Sequence, residues 1–142
     1  MIYTLDTNVL VDALRQPPEL DRLKLFLSWA LPSTVLSSIV AAELTAGART
    51  EKARRILDDG LLAPFERRGR ILAPSSAAWR RGGAVLARAG TSRVTASRQN
   101  DVLLAVQARE HGWAVITRDS DLRSLRAQVS GLQVVAPFPE RP

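Results

Sequence analysis

The sequence predicts an α/β fold: a central, mostly parallel sheet of four to five strands, flanked by helices on both faces. Two observations predict it. Short apolar segments of strand type alternate with segments of helical period along the chain, the order in which crossover units build a parallel sheet. In addition, "WAVITRD", from Trp113, is almost wholly apolar, as a strand covered on both faces is.

The elements follow in order. "MIYTLDTN" reads as the first strand, and "NVLVDALRQ" as a short helix ended by Pro17-Pro18. From Glu19, Leu20, Leu23, Leu27 and Ala30 recur at helical spacing, with Phe26 and Trp29 widening the stripe up to Pro32. That stripe fits plain core, and its aromatic breadth also fits an apolar groove for a partner helix. "TVLSS" is a second strand and "IVAAELTAG" a helix closed by Gly47. Thr50 is placed to cap "EKARRILDDGLL", whose Ala53, Ile56 and Leu57 share a face. "RILAP" is a third strand, and Ser75 or Ser76 opens "AAWRRGGAVLARAG", a helix weakened by Gly82-Gly83. "SRQNDVLLAVQAREHG" is the strongest helix, with a glycine stop at Gly112. "WAVITRD" is a fourth strand, "SDLRSLRAQ" a short helix and "LQVVAPF" a last strand.

At 142 residues the chain is long enough for its own hydrophobic core, and one domain over 1–142 is expected. The absence of cysteine excludes disulfides, thiolate chemistry and cysteine-ligated zinc. A single histidine, His111, leaves little for zinc or a Ser-His-Asp triad. No apolar run is long enough to span a membrane, and "MIYTLDTN" turns acidic where a signal peptide would turn apolar. A cytoplasmic location is expected. The net charge of +6 points to a polyanion such as nucleic acid. All but Lys24 and Lys52 of the 20 cations are arginine, however, which GC-rich coding would also produce.

Acids are therefore the scarcer charge, and their placement is informative. Glu19, Asp21, Glu51, Asp58, Asp59 and Glu66 fall on polar faces or near helix starts, where they balance dipoles and arginines. Asp6 instead ends the first strand, and Asp119 and Asp121 follow the fourth. Asp101 falls in the first turn of its helix, and Glu43 sits among apolar and small residues. Singly, each has a structural explanation: Asp6, Asp101 and Asp119 or Asp121 are all placed to cap helices, and Glu43 to face solvent. Jointly they have another. Strand ends of a parallel sheet share one edge, so Asp6 and Asp119 approach there, and their helices bring Glu43 and Asp101 to it. Four like charges in one cleft raise one another's pKa unless a cation neutralises them. Carboxylates without His or Cys select Mg2+ or Mn2+ over zinc. Such an ion serves phosphodiester cleavage, and setting the four acids aside leaves 10 carboxylates against 20 cations to hold a polyanion.

In order, "YTLDTNVLVD", "LSSIVAAELTAG" and "NDVLLAVQAREHGWAVITRDSDL" resemble the motifs of PIN-domain ribonucleases, and among them the VapC-type toxins of toxin–antitoxin pairs. The resemblance covers essentially the whole chain. It implies a PIN fold, Mg2+ or Mn2+ dependence and endonucleolytic cleavage of RNA (tRNA, rRNA or mRNA). It also implies a homodimer restrained by a small antitoxin whose C-terminal segment covers the acidic cleft. Asp6, Asp101 and Asp119 would bind metal and Glu43 would orient the attacking water. Asn8 and Thr117 would support the carboxylates, with Asp121 behind them. Arg118, beside Asp119, is a candidate RNA contact, with a surface or antitoxin-facing role as the alternative. The chain departs from the family at Leu122, commonly Phe, and residues 64–97 match nothing specific.

Rival assignments fit less well. A receiver domain or a dehalogenase-type phosphatase needs a late lysine, and neither Lys24 nor Lys52 is late. A PIN-like module that binds RNA or a partner without cutting is the non-enzymatic alternative.

Overall fold

A computed structural model describes residues 1–89 and 94–142. Five short parallel strands, β1 (Tyr3–Leu5), β2 (Thr34–Ser37), β3 (Ile71–Leu72), β4 (Ala114–Ile116) and β5 (Gln133–Val135), form one sheet in the order β3-β2-β1-β4-β5. Tyr3 pairs with Thr34 on one side and Ala114 on the other, which sets β1 at the centre. Connections leave β1 and β4 in opposite directions, and right-handed crossovers then place helices on both faces. On one face α1 (Thr7–Arg15) contacts both α2 (Pro17–Ala30) and α3 (Ser38–Gly47). On the other, α7 (Ala96–His111) contacts α6 (Ser76–Arg88) and α8 (Ser120–Ser124). Leu5, Leu36, Ile116, Leu10 and Leu104 are fully buried between sheet and helices.

The expected α/β architecture is thus present, and its capping signals are used. Thr50 accepts from the Ala53 amide and Ser75 from the Ala78 amide, while Gly112 ends α7 with φ +72°, where a side chain would be strained. The differences are local. Pro17-Pro18 do not merely stop α1; they occupy the first positions of α2, where the missing N–H groups have no helical partner to lose. The segment after α4 (Glu51–Arg55) winds as a π-helix over Ile56–Leu62 before α5 (Ala63–Glu66). Its wider turn buries Leu57, Leu61 and Leu62 together and leaves Ile56, expected on the apolar face, 51% exposed. The α2 stripe is core: Leu23, Phe26 and Ala30 are buried and Leu20 and Leu27 pack against them. Gly82 is buried against Leu103 and Val102, which lets α6 approach α7 closely. Gly90, expected at the end of the α6 helix, lies outside the described residues.

The polarity of the sheet decides where chemistry can occur. The strands all run the same way, so α1, α3 and α8 start at their carboxyl edge. Helix α7 precedes β4 and runs back from that edge, which leaves its N-terminal half there. Among the described residues no helix is long and apolar enough to cross a membrane.

Candidate active site

Beyond the carboxyl ends of β1 and β4 the chain turns away in two directions, and a crevice opens at that switch point. Asp6 sits at its floor, 5% exposed. Its amide donates to the Ile116 carbonyl at 3.0 Å, a last sheet bond that holds the residue in line with β1. One carboxylate oxygen accepts from the Thr7 amide at 2.8 Å, which makes Asp6 the N-cap of α1. The other accepts from the Thr117 hydroxyl at 2.8 Å and the Asn8 carboxamide at 3.1 Å. The capping role and the place at the cleft are therefore both real for Asp6.

Thr117 and Asn8 extend this network across the crevice. The fully buried Thr117 hydroxyl also accepts from the Asp119 amide at 2.9 Å and from Asn8 at 3.1 Å. The Asn8 carbonyl oxygen accepts from the Arg118 amide at 3.3 Å. Side chains thus add to the β1–β4 ladder in locking two sequence-distant segments together. Asp119 caps α8, its Oδ1 accepting from the Asp121 amide at 2.8 Å. Asp121 is exposed and meets Asp119 through its backbone.

The helix-borne acids are held differently. Glu43, half-buried on α3, accepts from the Thr7 hydroxyl at 2.9 Å and so does not simply face solvent. Asp101 is not in a first turn and is not a cap. Thr95 caps α7, accepting from the Arg98 amide at 3.1 Å, and the helix is already one turn old at Asp101. Gln107, fully buried further along α7, donates to the Leu72 carbonyl at 3.0 Å and ties the helix to the β3 side of the sheet.

The four acids act on one another electrostatically. Burial pushes the Asp101 carboxyl up to about 7, and the charges of Asp6, Asp119 and Glu43 push the same way against a smaller pull from Arg98. Burial also raises Asp6, while the Thr117 and Thr7 hydrogen bonds draw it down and Asp119 and Glu43 raise it further. Asp6, Glu43, Asp101 and Asp119 lie within electrostatic range of one another, and Asn8 and Thr117 bridge Asp6 and the Asp119 amide. Among the described residues, however, no three acidic or histidine side chains are drawn together closely enough to hold an ion as they stand. Their chemistry fits a hard divalent cation, since every donor is a carboxylate oxygen.

Arg118 turns toward α1 and α2. Its guanidinium pairs with Asp12 at 3.0 Å and with Glu19, and Glu19 also pairs with Arg22 at 3.2 Å. Sequence reasoning did not single out Thr7, although its place between Asp6 and Asn8 was the available signal. The partners Asp12 and Glu19 lie about a hundred residues from Arg118, and no local pattern connects them.

The sequence matches the PIN domain family over residues 3–128. The chain belongs to that family. PIN domains are in general nucleases that use divalent metal ions. A comparison with curated protein sequences found no match. Among solved structures, DNA-bound VapBC from Salmonella typhimurium is similar at a TM-score of 0.73 and 22% identity, covering 97% of this chain and 99% of that one. VapBC2 from Rickettsia felis, bound to a promoter DNA fragment, is similar at 0.70 and 22%, covering 96% and 98%. FitAcB from Neisseria gonorrhoeae is similar at 0.68 and 26%, covering 96% and 98%. These likenesses show the PIN fold over nearly the whole of each chain.

Proposed function

We propose that this PIN domain, spanning the 142 residues, is a Mg2+- or Mn2+-dependent endoribonuclease and the toxin of a toxin–antitoxin pair. One observation carries the reading: four acids from separate elements face one another at the switch point, where burial first, and then the charges of Asp6, Asp119 and Glu43, lift Asp101 to about 7. Asp6, Asp101 and Asp119 would hold the cation. When bound, the ion lowers the pKa of a water and offsets charge developing on the phosphate. Glu43, steadied by the Thr7 hydroxyl, would orient that water. Asn8 and Thr117 keep Asp6 and the Asp119 backbone in register, and Asp121 supports Asp119 through its amide.

The similar solved structures are toxin–antitoxin complexes by name or by assembly, which supports a small antitoxin as partner. An apolar groove of about 250 Å³ leads to Glu43 and includes Val11, Leu57 and the exposed Leu14 and Ile56. It suits the apolar face of an antitoxin segment better than the α2 stripe, which is buried. The substrate would be tRNA, rRNA or mRNA, the protein a homodimer, and its location the cytoplasm.

The rival reading is a PIN module that binds RNA without cutting it, and one observation favours it: the carboxylates are not gathered at ligand distances. Incubating purified protein with cellular RNA and Mn2+ decides between them. Cleavage that stops with EDTA and is absent from Asp101→Asn is expected. RNA that is bound yet intact would establish the module instead.

A further inference from the structure

The segment 64–97, which carries none of the four crevice acids, contains the most exposed of the three tryptophans. Trp113 is buried and stacks on His111, and Trp29 packs edge-on against Tyr3 and Phe26. Trp79, on α6, is 53% exposed. It lines a groove of about 500 Å³ with Ile39, Ala42, Leu103, Asn100 and Glu43. That volume is typical of sites for small flat ligands, about 300–1,000 Å³.

The surroundings indicate what kind of molecule occupies it. The groove is continuous with the acid crevice, because Glu43 lines it and also bonds Thr7 beside Asp6, and because Asn100 precedes Asp101 on α7. An open indole face offers stacking to any base, and the Asn100 carboxamide offers both a donor and an acceptor to a base edge. Arg81 and Arg88 of α6 face a separate pocket with Arg109, while Arg98 stands one turn before Asp101 on α7. An apolar slot with a polar corner, opening on the crevice near Arg98, complements a nucleotide: phosphate outside, base inside.

We propose that the Trp79 groove is a nucleobase subsite, in which an unpaired base adjoining the phosphate at the acid crevice stacks on the indole. The inference rests on the ribonuclease reading of the crevice and adds a residue, Trp79, that contacts the base beside the reacting phosphate. A paired base is not available to stack, so duplex RNA is held by its phosphates alone.

The test is metal-free binding to the non-cleaving Asp101→Asn protein in EDTA, with single-stranded oligoadenylate and a perfect RNA duplex as probes. Trp79→Ala in that background should weaken oligoadenylate binding about tenfold, leave duplex binding unchanged, and be rescued largely by Trp79→Phe. Oligoadenylate should also quench the tryptophan fluorescence of the parent and not of Trp79→Ala. Equal oligoadenylate affinity in parent and Trp79→Ala would overturn the subsite while leaving the nuclease reading intact. So would a Trp79→Ala change that turns a dimer into monomers, since the groove would then belong to a second copy of the chain. A parent that binds neither RNA removes both the subsite and the ribonuclease reading beneath it.

Discussion

The two halves of the acid crevice are built on opposite plans. On the strand side, Asp6 accepts three hydrogen bonds, the Thr117 hydroxyl joins three partners, and Asp119 is a cap. On the helix side, Glu43 has the Thr7 hydroxyl, and Asp101 has burial and three neighbouring carboxylates to contend with. On the strand side, hydrogen bonds to Asp6 oppose the burial and like charge that raise it; on the helix side, Asp101 faces burial and like charge with only a smaller pull from Arg98. Carboxylates with satisfied partners stabilise the apo fold, whereas one held against like charges destabilises it until a cation arrives. Loss of the Asp6 side chain with its bonds should therefore destabilise the apo fold, and loss of the Asp101 charge alone should stabilise it.

The largest effect is expected at Asp6. Asp6→Ala removes the α1 cap and leaves the buried Thr117 hydroxyl without its acceptor, while the Asn8 carboxamide keeps only its bond to Thr117. Loss of a cap and one orphaned buried polar group together should destabilise the protein by about 2–3 kcal/mol, in addition to abolishing cleavage. Denaturant unfolding in EDTA measures it. A stability equal to wild type would mean that the strand side is no better bonded than the helix side.

The opposite sign is expected at Asp101. Its folded-state pKa of about 7 lies above the ordinary value of 3.8, so the native state binds the proton more tightly than the unfolded chain. Apo stability from this group is thus full below about pH 4, falls as pH rises, and levels off above about 7. Asp101→Asn keeps the shape and removes the titration. At about pH 8 in EDTA it should be more stable than wild type by on the order of 1 kcal/mol, a figure reduced because the side chain is only half-buried. At about pH 5 the two should melt nearly alike. Mn2+ should raise the melting temperature of wild type more than that of the variant. A variant that melts lower than wild type at both pH values, with Mn2+ shifting neither, would place Asp101 among structural acids.

The contrast between the halves also marks what could be read from sequence. Strand order and the shared edge follow from the alternation of elements, so the meeting of Asp6, Asp119, Glu43 and Asp101 was legible without coordinates. So were caps whose signal is local, such as Thr50 and Ser75. The start of α7 was read to within one residue, at Ser97, but its cap was not, because Thr95 lies just ahead of the polar "SRQN" that opens the expected helix. The π-wound turn over Ile56–Leu62 was hidden as well, since its spacing is chosen by the cavity that Leu57, Leu61 and Leu62 fill together. The bonds that join Asn8 to Thr117, and Arg118 to Asp12 and Glu19, are long-range, and nothing in either segment announces the other.

Arg118 offers the smallest and most discriminating effect. Its amide belongs to the strand-side network through Asn8, while its guanidinium pairs with Asp12 and Glu19 at about one-third exposure. A guanidinium braced by two carboxylates presents little net charge to a phosphate, whereas a guanidinium that contacts RNA must leave at least one of them. The brace predicts that Arg118→Ala lowers stability by less than about 1 kcal/mol, and that high salt erases most of the difference, as it does for partly exposed pairs. It predicts the same small loss for Asp12→Asn, whose only relation to RNA would be through Arg118. A phosphate contact predicts the reverse pattern: Arg118→Ala would leave stability unchanged and make the salt dependence of RNA binding shallower by about one counterion. In that case Asp12→Asn, by freeing the guanidinium, would tighten RNA binding. Measuring stability and RNA affinity of both variants across a salt series separates the two, and the geometry of the pair favours the brace.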